Sequence, residues 1–310
     1  MAMALVTGGA GFIGSHLVEA LLRDGVHVRV LDNLSTGTMR NLEGQEVDFI
    51  PGDIRDREAV ARAIAGVQRV YHLAAMISVP GSMKDPLGCY ETNLIGSLHV
   101  LEAARAAGVE GVVLASSAAV YGEADEAVDE EAPARPLSPY AASKLAMEQA
   151  GWLYATAFAL PVVSLRFFNV YGPRQSPDSP YAAAIPTFIR AFLEGHPPTI
   201  FGDGEQRRDF VFVEDVVRAM VLACKTREAA GEVINIAGGE DISILRLAEL
   251  IRGLIPGSPE PVFGPPRPGD IRFSLGEVGR AGRLLGFRPV FDLRRGLERT
   301  VAWFRAQDQR

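Results

Sequence analysis

The chain has 310 residues, 48% apolar and 22% charged, with a net charge of −7, which is long enough for two domains or one large domain with a lobe. An acidic chain without a basic block argues against nucleic acid as the main partner, and no stretch approaches the ~18 apolar residues of a membrane span. Two isolated cysteines, Cys89 and Cys224, set neither a disulfide framework nor a metal-ligand spacing, and the N-terminus lacks the basic start and cleavage site of a signal peptide, a combination that fits a cytoplasmic protein without a metal.

Residues 4–7 form a short apolar run that predicts a first strand. It leads into Thr7-Gly8-Gly9-Ala10-Gly11-Phe12-Ile13-Gly14, where Gly8, Gly11 and Gly14 give a GxxGxxG spacing and Gly9, Gly11 and Gly14 a GxGxxG spacing. Leu17, Val18, Leu21 and Leu22 continue as a helical stripe that Gly25 closes. Further strands are predicted at 28–31, 47–50, 70–73, 112–115 and 162–165, with helices between them, notably 90–107 and 140–158. Strands this apolar are buried on both faces, the mark of a parallel sheet covered by helices. The acidic segment 123–131 reads as a solvated loop.

The rhythm breaks near residue 170. Segments 173–180, 196–204 and 256–269 are rich in proline and glycine. Residues 210–213, a helix over 214–225 and a strand over 232–236 look regular enough to rejoin the sheet. The expected architecture is therefore an α/β, doubly wound Rossmann-type parallel sheet with a smaller α/β lobe. The expected division is 1–170 for the cofactor domain, rejoined by 206–237, and 171–205 with 238–310 for the substrate lobe.

A glycine loop between a strand and a helix has the context of a dinucleotide site. Glycines permit the tight turn and let backbone N–H groups approach a pyrophosphate at the helix N-terminus. Asp32 ends the second strand, where a carboxylate accepts hydrogen bonds from a ribose 2′-OH and repels a 2′-phosphate. No arginine follows until Arg40, so NAD is favoured over NADP.

Tyr140 and Lys144 lie four apart on one face of a predicted helix. The chain has three lysines and seven tyrosines, so this spacing is informative. A tyrosine is a poor base at neutral pH, and a nearby ammonium together with a positively charged nicotinamide stabilises its phenolate. Such a group takes the proton from a sugar hydroxyl while hydride leaves the same carbon. Ser117, just after the strand at 112–115, is placed to bond the same oxygen.

With these residues assembled, the chain resembles the extended short-chain dehydrogenase/reductase superfamily, and within it the UDP-sugar 4-epimerases. The likeness runs through the glycine loop, Asp53-Ile54, His72-Leu73-Ala74-Ala75, Asn93, the Ser116 to Gly122 segment, Tyr140, Lys144 and the Arg166 to Arg174 segment. It implies a tightly held NAD contacted by Gly8, Gly11, Phe12, Ile13, Gly14, Asp32, Asn33, Asp53, Ile54, Leu73, Ala74, Ala75, Asn93, Tyr140, Lys144 and Phe167. The catalytic group it implies is Ser117, Tyr140 and Lys144, acting through a transient 4-keto sugar. The UDP-sugar is expected to meet Ser78, Ser117, Asn169, Ile185, Phe201, Arg208, Arg267, Asp270 and Ser274. Asn169, Arg208 and Arg267 face the pyrophosphate, arginine suiting phosphate through its planar fork. Asp270 meets the uridine ribose, and Phe201 lies against uracil.

Relatives that dehydrate or decarboxylate carry an acidic residue just before the Val-Tyr-Gly; Ala118 and Ala119 stand there, which argues for simple epimerisation. Residues 181–186 and 269–274, with Met76-Ile77-Ser78 where plain hexose enzymes often carry a lysine, resemble the branch that handles N-acetylated UDP-hexosamines. Ser274 resembles the gatekeeper beside the hexose, where a small residue leaves room for a 2-acetamido group; an alternative makes it the opening serine of a helix over 276–285. The competing functions are a UDP-glucuronate 4-epimerase, with Arg174 as the cation near C6, a keto-sugar reductase consuming NADPH, a dehydratase on the same fold, and a non-catalytic NAD sensor. In relatives the helices matching 90–107 and 140–158 form a four-helix bundle across a two-fold axis, which implies a homodimer.

Overall fold

A computed structural model of the chain describes residues 2–178, 183–266 and 271–308. Its centre is a seven-stranded sheet whose ladders are all parallel. The strands in chain order are β1 (Met3–Thr7), β2 (His27–Asp32), β3 (Asp48–Pro51), β4 (Arg69–His72), β5 (Gly111–Ser117), β6 (Val162–Phe167) and, after the three short strands given below, β10 (Val233–Ile236). Their spatial order is β10-β6-β5-β4-β1-β2-β3. The winding reverses between β1 and β4, so the carboxyl ends of those two strands open the crevice where such sheets bind ligands.

Helices cover both faces. On one side, α1 (Phe12–Arg23) and α8 (Val213–Lys225) bury Leu17, Val18, Leu21, Val216 and Met220 against the strands. On the other, α2 (Arg57–Ile64), α5 (Ser97–Ala107) and α6 (Pro139–Phe158) bury Val60, Leu101 and Met147. The predicted helix 90–107 has a finer structure. It follows α3 (Val79–Lys84), begins as α4 (Pro86–Tyr90), widens into a π-helical stretch at Glu91–Gly96 and only then becomes α5. Such wide turns mark functional segments more often than ordinary helix does; this one carries Asn93.

The sequence reading sends residues 210–213 back to the main sheet, and the structure corrects this. Residues 210–212 belong to β9 (Arg207–Phe212), the middle of a separate three-stranded sheet with β7 (Asn169–Tyr171) and β11 (Asp241–Ser243), and Val213 opens α8. Only α8 and β10 return to the main sheet. A second small sheet pairs β8 (Thr199–Phe201) with β12 (Val262–Gly264). With α7 (Ala184–Leu193), α9 (Ile244–Leu254) and α11 (Leu293–Asp308), these strands enclose their own core around Phe188, Ile189, Phe212, Leu247 and Leu297. The seventh residue of α10 (Gly279–Leu285) closes against the main sheet's core as Leu285. Among the described residues no helix is long and apolar enough to cross a membrane.

Candidate active site

The glycine loop closes the switch point at backbone distance. A Cβ on Gly8 would stand 2.8 Å from the Ala74 nitrogen, and one on Gly14 2.2 Å from the Gly8 carbonyl oxygen. Gly8 also has φ +72°, the left-handed region that glycine enters without strain. Gly11 caps α1 without a side chain, so the first N–H groups of the helix, at Phe12 and Ile13, face the loop with the positive end of the helix dipole behind them. Asp32 is buried at the end of β2; its carboxylate accepts the Ala10 N–H at 2.9 Å and the Leu34 N–H at 2.8 Å. Each oxygen keeps a free lone pair, so the group still suits a ribose hydroxyl. A bare backbone cradle, a helix N-terminus and an acceptor-only carboxylate together fit a dinucleotide with an unphosphorylated ribose.

Asn33 and Asp53 are joined by a 2.9 Å hydrogen bond across the ends of β2 and β3. The Arg55 guanidinium holds the Asp53 carboxyl well below the usual range. Ile54 is buried, and Leu73, Ala74 and Ala75 follow β4 at half-buried positions facing the glycine loop.

Asn93 differs from expectation. It is 1% exposed, its Oδ1 accepts the Met76 N–H at 2.7 Å, and its Nδ2 donates to the Met76 carbonyl and to Ser143 Oγ, both at 3.0 Å. Both amide hydrogens are used inside the protein, where Asn93 fixes the segment after β4 through Met76. Behind it, Ser97 donates to the Asn93 carbonyl, which makes His72 Nε2 the donor to Ser97 Oγ at 2.8 Å. His72 Nδ1 then accepts from Thr7 Oγ1 at 2.7 Å. Burial pushes this imidazole down to about 3, so it stays neutral.

Tyr140 sits in the first turn of α6, whose N-terminus is capped by Ser138 Oγ and opened by Pro139. Burial pushes its phenol up, and a hydrogen bond from Ser117 pulls it partly back. Lys144, one turn on and 4% exposed, donates to the Ala115 carbonyl at 2.7 Å. Burial brings its ammonium down to about 8. The ammonium is thus aimed at β5, and burial is the largest influence on the Tyr140 phenol.

Two cavities lie nearby; of this group only Ser117 lines one of them, and Tyr140 and Lys144 line neither. The first, about 160 Å³, is lined by Ser117, Ala118, Ala119, Phe167, Asn169 and Ser274 among others. The second, about 250 Å³, is lined by Asn169, Ile185, Phe201, Arg208 and Phe210 among others. Asn169 is common to both, with its Nδ2 bonded to the Asp209 carbonyl at 2.8 Å. Only the two together reach the roughly 300–1,000 Å³ of ordinary ligand pockets, so the shape is that of one elongated ligand passing Asn169.

Ser78 lines neither cavity; its Oγ caps α3 by accepting the Gly81 N–H. Arg267 and Asp270 lie outside the described residues. Ser274 opens no helix, because α10 starts five residues later, at Gly279. Arg174 is drawn away from both cavities by Glu19 of α1, at 2.7 Å. The acidic loop is also more than solvated: Val128 pairs its backbone with Leu275 and Glu277 at 3.0 and 2.9 Å and lines the smaller cavity.

A model of the NAD dependent epimerase/dehydratase family matches residues 4–237. A UDP-glucose 4-epimerase of Mycolicibacterium smegmatis is 41% identical, over 98% of this chain and 99% of its own. A UDP-N-acetylglucosamine 4-epimerase from Methanobrevibacter ruminantium, solved in complex with UDP-N-acetylmuramic acid, superposes with a TM-score of 0.94 at 39% identity, over 99% of each chain. The UDP-glucose 4-epimerase of Thermus thermophilus, solved in complex with NAD, gives 0.90 at 40% identity, over 98% of this chain and 99% of its own.

Proposed function

Because the chain belongs to the NAD dependent epimerase/dehydratase family, we propose that it inverts C4 of a UDP-hexose, UDP-N-acetylhexosamines included, through a transient 4-keto sugar. Residues 1–170 with the returning α8 and β10 serve the cofactor, and the remaining segments serve the nucleotide sugar. The glycine loop and the start of α1 hold the pyrophosphate of NAD, and Asp32 holds its adenosine ribose. NAD held there would supply the hydride acceptor and donor for C4.

The chain's own groups handle the proton. Tyr140 takes it from O4 as the C4–O4 bond becomes a carbonyl, and gives it back when the carbonyl is reduced. Ser117, whose hydroxyl pulls the Tyr140 phenol down, orients O4 toward it. The Lys144 ammonium favours the phenolate electrostatically. Arg208 and Asn169 bind the pyrophosphate of the sugar nucleotide, and Phe201 and Ile185 flank its base.

The observation that carries this reading is the lining of the smaller cavity. Among the described residues it brings Ser117 together with Asn169 and Ser274 and contains no acidic or basic side chain. Elimination needs an acid there and a uronate needs a cation, so a neutral hexose is the better fit. The test is incubation with UDP-glucose, UDP-galactose, their N-acetylated counterparts and UDP-glucuronate, with C4 inversion read by NMR. Both neutral pairs are expected to interconvert. Ser274→Tyr should suppress N-acetyl turnover roughly tenfold or more by overfilling the cavity and spare the plain hexoses. Inversion of UDP-glucuronate alone, or unchanged N-acetyl turnover in Ser274→Tyr, overturns the reading.

The chain is further proposed to work as a homodimer. Leu87 and Ile95 on the 86–107 helical segment and Trp152, Leu153 and Phe158 on α6 are exposed, Leu87 by 76% and Trp152 by 57%. Contiguous apolar faces of this kind favour a self-complementary two-fold contact. Light scattering should give twice the chain mass, and Trp152→Glu should shift it toward the monomer. A wild type that is monomeric at micromolar concentration contradicts the proposal.

A further inference from the structure

We propose that Asp209 is the positioning residue that holds the wall of the sugar cavity, and that it sets affinity for the hexose rather than for the nucleotide. The inference rests on the reading of the smaller cavity as the sugar site. Side chains alternate along a strand, so on β9 Arg208 and Phe210 face the larger cavity while Asp209 points the other way. It is fully buried. Its Oδ1 accepts the Gly238 N–H at 2.6 Å, and its Oδ2 accepts those of Gly239 at 3.1 Å and Gly276 at 3.3 Å. Its own N–H donates to the Ser274 carbonyl at 2.8 Å, and its carbonyl accepts from Asn169.

The carboxylate therefore ties Gly276 to the glycines that follow β10 of the main sheet, while the backbone N–H and carbonyl of the same residue hold Ser274 and Asn169 and survive a change of side chain. The chemistry explains the residue type. Three N–H groups converge on one buried point, and an acceptor-only group satisfies all of them. Burial raises its carboxyl to about 6, and among the described residues no cation pairs with it. The segment is pinned from its other side as well: a Cβ on Gly276 would stand 2.6 Å from the Phe168 ring, and Phe168 also lines the cavity.

The test compares Asp209→Asn with wild type, each carrying its NAD. The amide keeps the shape but turns an –NH2 toward at least one of the three N–H groups. Calorimetry with UDP and with UDP-glucose, together with turnover of UDP-glucose, separates the two ends of the ligand. The expected result is unchanged NAD content and UDP affinity within about threefold of wild type. UDP-glucose affinity is expected to weaken roughly tenfold, with KM rising in step and kcat falling less than KM rises. Unchanged UDP-glucose affinity overturns the proposal, as does an equal loss for UDP, which marks general loosening. Should Asp209→Asn fail to retain NAD, Gly276→Ala, which displaces the same segment from the Phe168 side, is judged by the same two affinities. A wild type that binds UDP-glucose without inverting C4 overturns the proposed reaction, and the two affinities then decide the role of Asp209 alone.

Discussion

Tyr140→Phe is expected to lower C4 inversion by ~10²-fold or more, the scale of losing a general base, while the protein keeps its NAD. The substitution removes one hydroxyl from a side chain whose ring is already packed, so the fold has little reason to respond. NAD released on denaturation should match wild type in amount. The partner residue sets the pH behaviour. Burial holds the Lys144 ammonium at about 8, with Cys89 and Glu148 opposing that shift. A lowered lysine loses its charge as pH rises through that value, so the electrostatic support for the phenolate falls with it. kcat/KM should therefore decline on the alkaline side near pH 8. Lys144→Arg, charged throughout, should lose that decline even at a reduced rate. Near-normal turnover in Tyr140→Phe, or an alkaline limb that persists unchanged in Lys144→Arg, would falsify these roles.

Glu148→Ala is expected to destabilise the protein by about 3–5 kcal/mol, the cost of stranding one member of a buried ion pair. Tyr140, Lys144 and Glu148 recur every four residues along one face of α6. The Glu148 carboxylate accepts Arg166 Nε at 3.0 Å and Nη2 at 2.8 Å, and the neighbouring Ser116 hydroxyl as well. Both side chains of the pair are under a tenth exposed. Arg166 lies 4.7 Å over the Tyr121 ring, and Tyr121 in turn bonds Asn235 at 2.6 Å. Arg166 Nη1 already has no partner among the described residues, so nothing nearby absorbs the stranded charge. Urea unfolding measures the loss. The double substitution Glu148→Leu with Arg166→Met should recover most of it, because a well-packed apolar pair carries no desolvation penalty. A loss under about 1 kcal/mol in the single variant would mean that the guanidinium finds water or another acceptor.

Much of the cofactor half was legible in the chain because its signals are local. The strand at 4–7, the glycine loop and α1 are consecutive, and Asp32 lies one strand further on; the spacing alone sets the loop at the N-terminus of α1 with Asp32 beside it. Tyr140 and Lys144 are readable for the same reason, since a helix fixes neighbours four apart. What local pattern could not reach depends on pairing across long separations. Ser117, Asn169 and Ser274 meet in one cavity only because β5, β7 and the segment bonded to β9 converge in space. Residues 210–213 have the apolar pattern of a main-sheet strand, yet 210–212 pair with β7 and β11 in the small sheet and Val213 opens α8. Asn93 and Ser78 read as ligand contacts from motif position; only the folded chain shows the Asn93 amide bonded to Met76 and Ser143 and the Ser78 hydroxyl accepting the Gly81 N–H. Asp209 had one local sign, a carboxylate directly before an apolar run. Its use was decided by three backbone N–H groups that come from residues 238, 239 and 276 and meet only in the folded chain, where a buried donor without an acceptor is too costly to leave.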